Sequence, residues 1–159
     1  MDRVAVQTAD FDVGAETQWL RQQGGQIGAL ALFVGTVRDI SHGESVYGIE
    51  IEHYSGMTER ALEQIVSEAR QRWSLIAVSV IHRVGTLLVN DQIVWVGVAS
   101  RHRSDAFAAC EFIMDYLKTR APLWKKERGD AAEKWVEATV RDDEAAERWR
   151  GGAPPSDVR

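Results

Sequence analysis

A single cysteine, Cys110, is all the thiol this 159-residue chain has. No disulfide can form within it, which agrees with a reducing compartment. Long apolar runs are missing too: nowhere do about 18 consecutive apolar residues occur. Met1-Asp2-Arg3-Val4-Ala5-Val6 lacks the basic-then-apolar order of a secretion signal. The expectation is a cytoplasmic protein with no membrane partner. There is no Gly-rich phosphate loop, no dinucleotide fingerprint, and no cysteine or histidine pair at metal-ligand spacing. These gaps argue against a nucleotide hydrolase or a structural zinc site, and neither a metal nor another cofactor is expected.

Positive charge is in deficit overall. The formal net charge is -5, against a nucleic-acid binder that neutralises many phosphates. Between Arg101 and Arg128, however, seven basic residues face four acidic ones, so that segment is +3 and the rest of the chain -8. Such a basic segment suits a small anionic ligand or an acidic chain end better than a long polyanion, unless it is simply a solvated helix face.

The length suits one core, expected over residues 1–150, with 151–159 (Gly-Gly-Ala-Pro-Pro and beyond) as a disordered tail. Val4 to Val6 is a short strand candidate, and Ala15 to Gln23 a helix stopped by Gly24-Gly25. Ile27 to Val37 is β-rich and almost wholly apolar, the pattern of a buried central strand. Its glycines predict a bulge or close backbone approach. Residues 39–45 are polar and predict a mobile loop before a strand over Val46 to Tyr54.

Leu62, Ile65, Val66, Ala69 and Trp73 recur at helical spacing, making Thr58 to Trp73 the clearest amphipathic helix. Ile76 to Val84 and Gln92 to Ser100 predict an antiparallel pair, its register left open by Gly85 to Val89. Ser104 is a candidate cap for a second long helix that runs to about Arg120, where Ala121-Pro122 stops it. A strand over Lys134 to Thr139 and a short helix over Asp142 to Trp149 close the pattern. Strands and helices interleave without steady alternation, so the class is α+β, with a mixed, largely antiparallel sheet and two long amphipathic helices.

Cys110 shares an apolar stripe with Phe107, Met114 and Leu117, where a thiol behaves as a small hydrophobe. Lys118 falls at the edge of the same stripe, either snorkelling outward or forming a pocket wall. Trp124-Lys125-Lys126 follows the helix, and Ser100-Arg101-His102-Arg103-Ser104 precedes it as a plausible anion seat of helix amides, Arg and His. The two ends lie about 25 Å apart, so one phosphate cannot touch both. A site that uses them is extended or completed by another subunit. His42, His53 and His82 are given only structural roles.

Five spaced blocks then stand out. They are Phe33-Val34-Gly35-Thr36-Val37-Arg38, the run from Glu52 to Thr58, Ile81-His82-Arg83-Val84-Gly85, Ser100-Arg101-His102-Arg103, and above all Met114 to Glu127. In this order, from about Ile27 to Trp149, the chain resembles the large-subunit family of molybdopterin synthase. The resemblance implies an α/β-hammerhead fold and a homodimer that binds one small ubiquitin-like sulfur carrier at each end, a heterotetramer. The carrier's C-terminal Gly-Gly thiocarboxylate would enter a pocket, and two sulfur transfers would convert cyclic pyranopterin monophosphate into molybdopterin, a step of molybdenum cofactor biosynthesis. A thiol on an apolar stripe fits a sulfurtransferase whose sulfur comes from outside.

The family's pattern falls on Lys118 and Lys125 as the catalytic pair, and on Thr36, Val37, Arg38, His102, Arg103, Lys126 and Glu127 for substrate. Arg38, His102 and Arg103 are assigned to phosphate and pterin. Two departures stand against it: Thr36 replaces a lysine of some relatives, and Thr139 replaces an arginine, leaving any contribution of that strand across a dimer in doubt. The rival readings are a non-catalytic adaptor for a ubiquitin-like tail and an enzyme acting on small phosphate esters without a protein partner.

Overall fold

The computed structural model describes residues 1–41, 43–129, 134–136 and 139–151. The chain opens with β1 (Asp2–Gln7), α1 (Val13–Arg21) and β2 (Ala29–Thr36), followed by β3 (Ile40–Ser41), β4 (Glu44–His53) and α2 (Met57–Arg72). Then come β5 (Ala77–Arg83), β6 (Gly85–Leu88), β7 (Gln92–Ser100), α3 (Arg103–Arg120), β8 (Leu123–Gly129), β9 (Lys134–Val136) and α4 (Val140–Glu147).

These elements build two sheets, as expected of an α+β chain. The first has the order β1-β5-β7-β2, with β1 parallel to β5 and the other neighbours antiparallel. Its strands β5 and β7 are apolar on both faces because both faces are covered. Leu62, Ile65 and Val66 of α2 and Phe112 and Ile113 of α3 pack on one side against Val78, Val80 and Val96. Leu20 of α1 packs on the other with Phe11 and Trp95. In the second sheet β4 pairs with β6 and, antiparallel over Val46 to His53, with β8, while β9 follows β8. Ile49, Ile51, Val84, Leu87 and Val37 form its core. Among the described residues no helix is long and apolar enough to cross a membrane.

The apolar run of β2 is not the buried central strand expected, because β2 lies at the edge of the first sheet with Leu32 and Phe33 exposed, but its glycines act as expected. A side chain at Gly28 would collide with the Arg101 carbonyl, which locks the start of β2 to the turn before α3. At the other end the register shifts between Gly35 and Thr36, Gly35 facing Val94 and Thr36 facing Gln92, so that Ile93 is skipped.

Several sequence expectations need correction. Residues 39–45 are not simply a loop, because Ile40 and Ser41 pair with Ser45 and Glu44 in a tight hairpin; His42 lies outside the described residues. β5 and β7 do pair, but the intervening β6 leaves them for β4, so the two are no simple hairpin. Helix α3 starts at Arg103 with His102 at its N-cap and no side-chain cap bond, not at a Ser104 cap. Phe107 is 66% exposed and does not belong to the buried stripe of Cys110, Met114 and Leu117. The α1 helix starts earlier, at Val13, because Asp12 accepts a bond from Ala15 N–H at 2.9 Å. Likewise α4 starts at Val140, because Thr139 caps it. The strand expected over Lys134 to Thr139 spans Lys134–Val136; residues 137 and 138, like the tail beyond Gly151, lie outside the described residues.

The strand β8 was not foreseen. Pro122 disfavours helix at Ala121, which is extended (φ -77°, ψ 133°), and so turns the chain out of α3. The Thr58 hydroxyl donates to the Pro122 carbonyl at 2.8 Å, tying this exit to the start of α2.

Candidate functional site

A pocket of about 270 Å³ opens where the two sheets meet the end of α3. Its lining brings together Thr36, Val37 and Arg38 from beyond the β2 bulge, Lys118 from α3, and Lys125 and Glu127 from β8. Ile49, Ile93, Leu117 and Leu123 supply an apolar floor, and His82, Val136, Thr139 and Asp142 complete the wall.

Each charged group is there for a local reason. The register shift at Gly35/Thr36 redirects the chain out of the sheet edge. Val37 then fixes the turn, its N–H donating to Asp91 O at 3.0 Å and its carbonyl accepting from Asn90 N–H at 2.8 Å. Arg38 therefore emerges exposed at the pocket while Val37 stays buried. In β8 the strand period of two sends Leu123, Lys125 and Glu127 to the pocket and the residues between them to the opposite face. Lys126 accordingly lies over the Trp135 ring, 5.4 Å from its centroid, and does not join the other candidate residues. Leu117 is buried and Lys118, the next residue on α3, has a side chain 46% exposed. It neither snorkels freely nor is sealed in: its Nζ lies 3.8 Å from Asp142 Oδ1.

The electrostatics follow from crowding. Burial lowers the Lys125 pKa, as does the nearby Lys118 charge, against the opposing pull of Asp142 and Glu127. His82 is pushed down to about 4, first by burial and then by the Lys125 charge. Its Nδ1 lies 2.7 Å from the Arg83 carbonyl; the neutral ring therefore carries its proton on Nδ1 and turns a bare Nε2 elsewhere. Sequence reasoning gave His82 only a structural role and singled out neither Asp142 nor the site role of Thr139. The signal for His82 was parity: it shares a face of β5 with Val78 and Val80, the face turned toward α2 and α3.

His102 and Arg103 do not join the pocket. They sit exposed at the N-terminus of α3, sixteen residues before Lys118 in the case of His102, or about 24 Å along the helix. Cys110 is buried, its pKa raised to about 12 by burial and by Glu111, so that no thiolate is available at neutral pH. Among the described residues no three His, Cys, Asp or Glu side chains converge as a metal site requires. The arrangement can bind an anion, stabilise developing negative charge, and exchange protons through a lysine whose ammonium form is disfavoured.

The family model described as "MoaE protein" matches residues 6–120. A relative from Ralstonia nicotianae, named molybdopterin synthase catalytic subunit, is 59% identical over 149 residues, covering 94% of this chain and 85% of that one. A solved structure, the molybdopterin biosynthesis MoaE protein from Burkholderia ambifaria, superposes with a TM-score of 0.81 at 55% identity, covering 94% and 98% of the two chains. A complex of subunits 1 and 2 of molybdopterin-converting factor from Helicobacter pylori matches with a TM-score of 0.66 over 88% and 91%, and at 18% identity this likeness is one of fold.

Proposed function

Because the chain belongs to the MoaE family, we propose that the pocket carries out the molybdopterin synthase reaction with Lys118 and Lys125 as its catalytic pair. Sulfur arrives as the C-terminal thiocarboxylate of a small ubiquitin-like carrier and is passed to cyclic pyranopterin monophosphate. Each transfer forms a carbon–sulfur bond on the pterin side chain as a carbon–oxygen bond there is lost, and breaks the carbonyl carbon–sulfur bond of the carrier, with water supplying the oxygen of the carboxylate left behind. The observation that carries the residue assignment is the convergence of Lys118, Lys125 and Arg38 on one partly apolar pocket. The two ammonium groups neutralise the incoming tail and the charge developing on its carbonyl oxygen, and Lys125, desolvated, gives up a proton more readily than an ordinary lysine. Arg38 faces the phosphate, and Glu127 balances Lys125. The reaction belongs in the cytoplasm, where the buried thiol stays reduced.

His102 and Arg103 serve the site of a second copy. β2 is the outer strand of the first sheet, with Leu32 and Phe33 exposed on it. An antiparallel approach of two β2 edges about a two-fold axis would set Ala29 of one copy beside Thr36 of the other. Gly28 abuts Arg101, so that approach carries His102 and Arg103 of each copy toward the pocket of its mate.

Single-turnover sulfur transfer with saturating thiocarboxylated carrier and substrate tests the assignment. Lys118→Ala should fold and bind the carrier yet lose about 10²–10³ in rate, the usual cost of one preorganised charge-stabilising group. Lys118→Arg should not recover it, because a guanidinium is bulkier and holds its proton near neutral pH. Transfer by Lys118→Ala within a few-fold of wild type would remove this lysine from the mechanism.

A further inference from the structure

One carboxylate of the pocket wall pairs directly with Lys118. Asp142 Oδ1 lies 3.8 Å from Lys118 Nζ, while its Oδ2 accepts from Thr139 N–H at 3.2 Å. The Thr139 hydroxyl in turn accepts from Asp142 N–H at 3.1 Å, so the side chain is fixed in the first turn of α4. The other end of α4 is pinned to α3. Trp149 packs edge-on against Phe112 and Trp73, with centroids 5.5 Å away in each case, and its Nε1 donates to Asp115 at 2.7 Å. Arg148 adds a bond to the same carboxylate at 3.0 Å. A helix capped at its start and pinned to α3 at its end delivers Asp142 to Lys118 as a fixed group.

Resting on the sulfur-transfer reading above, we propose that Asp142 is a positioning residue for the lysine pair: its carboxylate holds the Lys118 ammonium over the pocket and offsets the repulsion between Lys118 and Lys125. Among the described residues, the charged and titratable groups facing that pair are Arg38 beyond β2, His82 on β5, Glu127 on β8 and Asp142 itself. With His82 neutral they sum, lysines included, to three positive against two negative charges. Removing Asp142 raises the net positive charge, which favours an anionic substrate, and releases the contact that orients Lys118. Asp142 also supports the charged form of Lys125. Binding and rate are therefore expected to separate.

The experiment compares wild type, Asp142→Asn, Asp142→Glu and Asp143→Asn. Asparagine keeps an oxygen for the Thr139 N–H and so spares the cap, while Asp143 carries the same charge in the same turn without lining the pocket. Two readings are taken: the pH titration of the Lys125 side chain by NMR in the free protein, and single-turnover transfer at saturating and limiting substrate. Asp142→Asn should move the Lys125 midpoint lower by roughly half a pH unit or more. It should also slow transfer at saturation by roughly ten- to a hundredfold while substrate affinity holds or improves. Asp142→Glu should recover part of both effects, and Asp143→Asn should change neither. An unmoved Lys125 midpoint, an undiminished rate, or an equal effect of Asp143→Asn overturns the proposal. Failure of the wild type to transfer sulfur overturns the function on which it rests, and the titration still decides the contact by itself.

Discussion

His82 shows how far one residue's chemistry depends on placement. The sequence places it at a strand end, where a hydrogen-bonded structural histidine is the common case, and the Arg83 carbonyl bond agrees with that role. Parity puts the ring on the face of β5 turned toward α2 and α3, and the fold adds that there it walls a pocket beside Lys125. Its pKa falls from the usual 6.5 to about 4 because burial and the neighbouring ammonium both penalise the imidazolium. As pH falls below 6.5 the unfolded chain takes up this proton first, so the folded state loses stability progressively down to about pH 4 and no further from this group. Between pH 7 and pH 5 the loss is roughly 2 kcal/mol. Urea denaturation of wild type and His82→Gln at both pH values measures it. The variant, less stable at pH 7, should lose roughly 2 kcal/mol less than wild type on going to pH 5. Equal losses would mean that the folded protein accepts the proton on His82.

The elements were largely legible where apolar spacing was strong. Leu62, Ile65, Val66 and Ala69 predicted α2, and all four are buried, and the antiparallel β5 and β7 were equally plain; the apolar run of β2 marked a strand but suggested a central one, whereas β2 is an edge strand with Leu32 and Phe33 exposed. β8 was missed because Leu123-Trp124-Lys125-Lys126-Glu127-Arg128-Gly129 has no apolar alternation. Its inward face carries the pocket's charge, and its pairing with β4 on one side and β9 on the other makes it a strand. That omission grouped Lys125 with Lys126 as though both met one ligand. Strand geometry separates them, with Lys125 toward the pocket and Lys126 over Trp135. Lys125→Ala should therefore lose about 10²–10³ in single-turnover rate, and Lys126→Ala should stay within about tenfold of wild type. A comparable loss in both would show that the substrate or carrier tail reaches across β8 to its other face.

At the scale of the molecule, the residues assigned to the site lie at the two ends of a rigid rod. The sequence already set the two basic clusters at opposite ends of one helix, and the structure keeps α3 continuous from Arg103 to Arg120, so no bend brings His102 to Lys118. Sequence alone could not choose between an extended site and a shared one. The pocket beyond the β2 bulge and the exposed edge of that strand now favour sharing. A mixing experiment follows from two-fold symmetry. Lys118→Ala and Arg103→Ala proteins, each nearly inactive alone, are unfolded together and refolded at equal ratio. If each pocket takes Lys118 from one chain and Arg103 from the other, every mixed dimer contains one doubly altered pocket and one intact pocket. Random pairing makes half the dimers mixed, so activity should return to roughly a quarter of the wild-type value. If each chain builds its own pocket, every pocket carries one lesion and mixing restores nothing. Tagging one variant and isolating the mixed dimer sharpens the comparison: the purified species should reach roughly half of wild-type turnover, and turnover no higher than that of the parents would return His102 and Arg103 to a role outside the pocket.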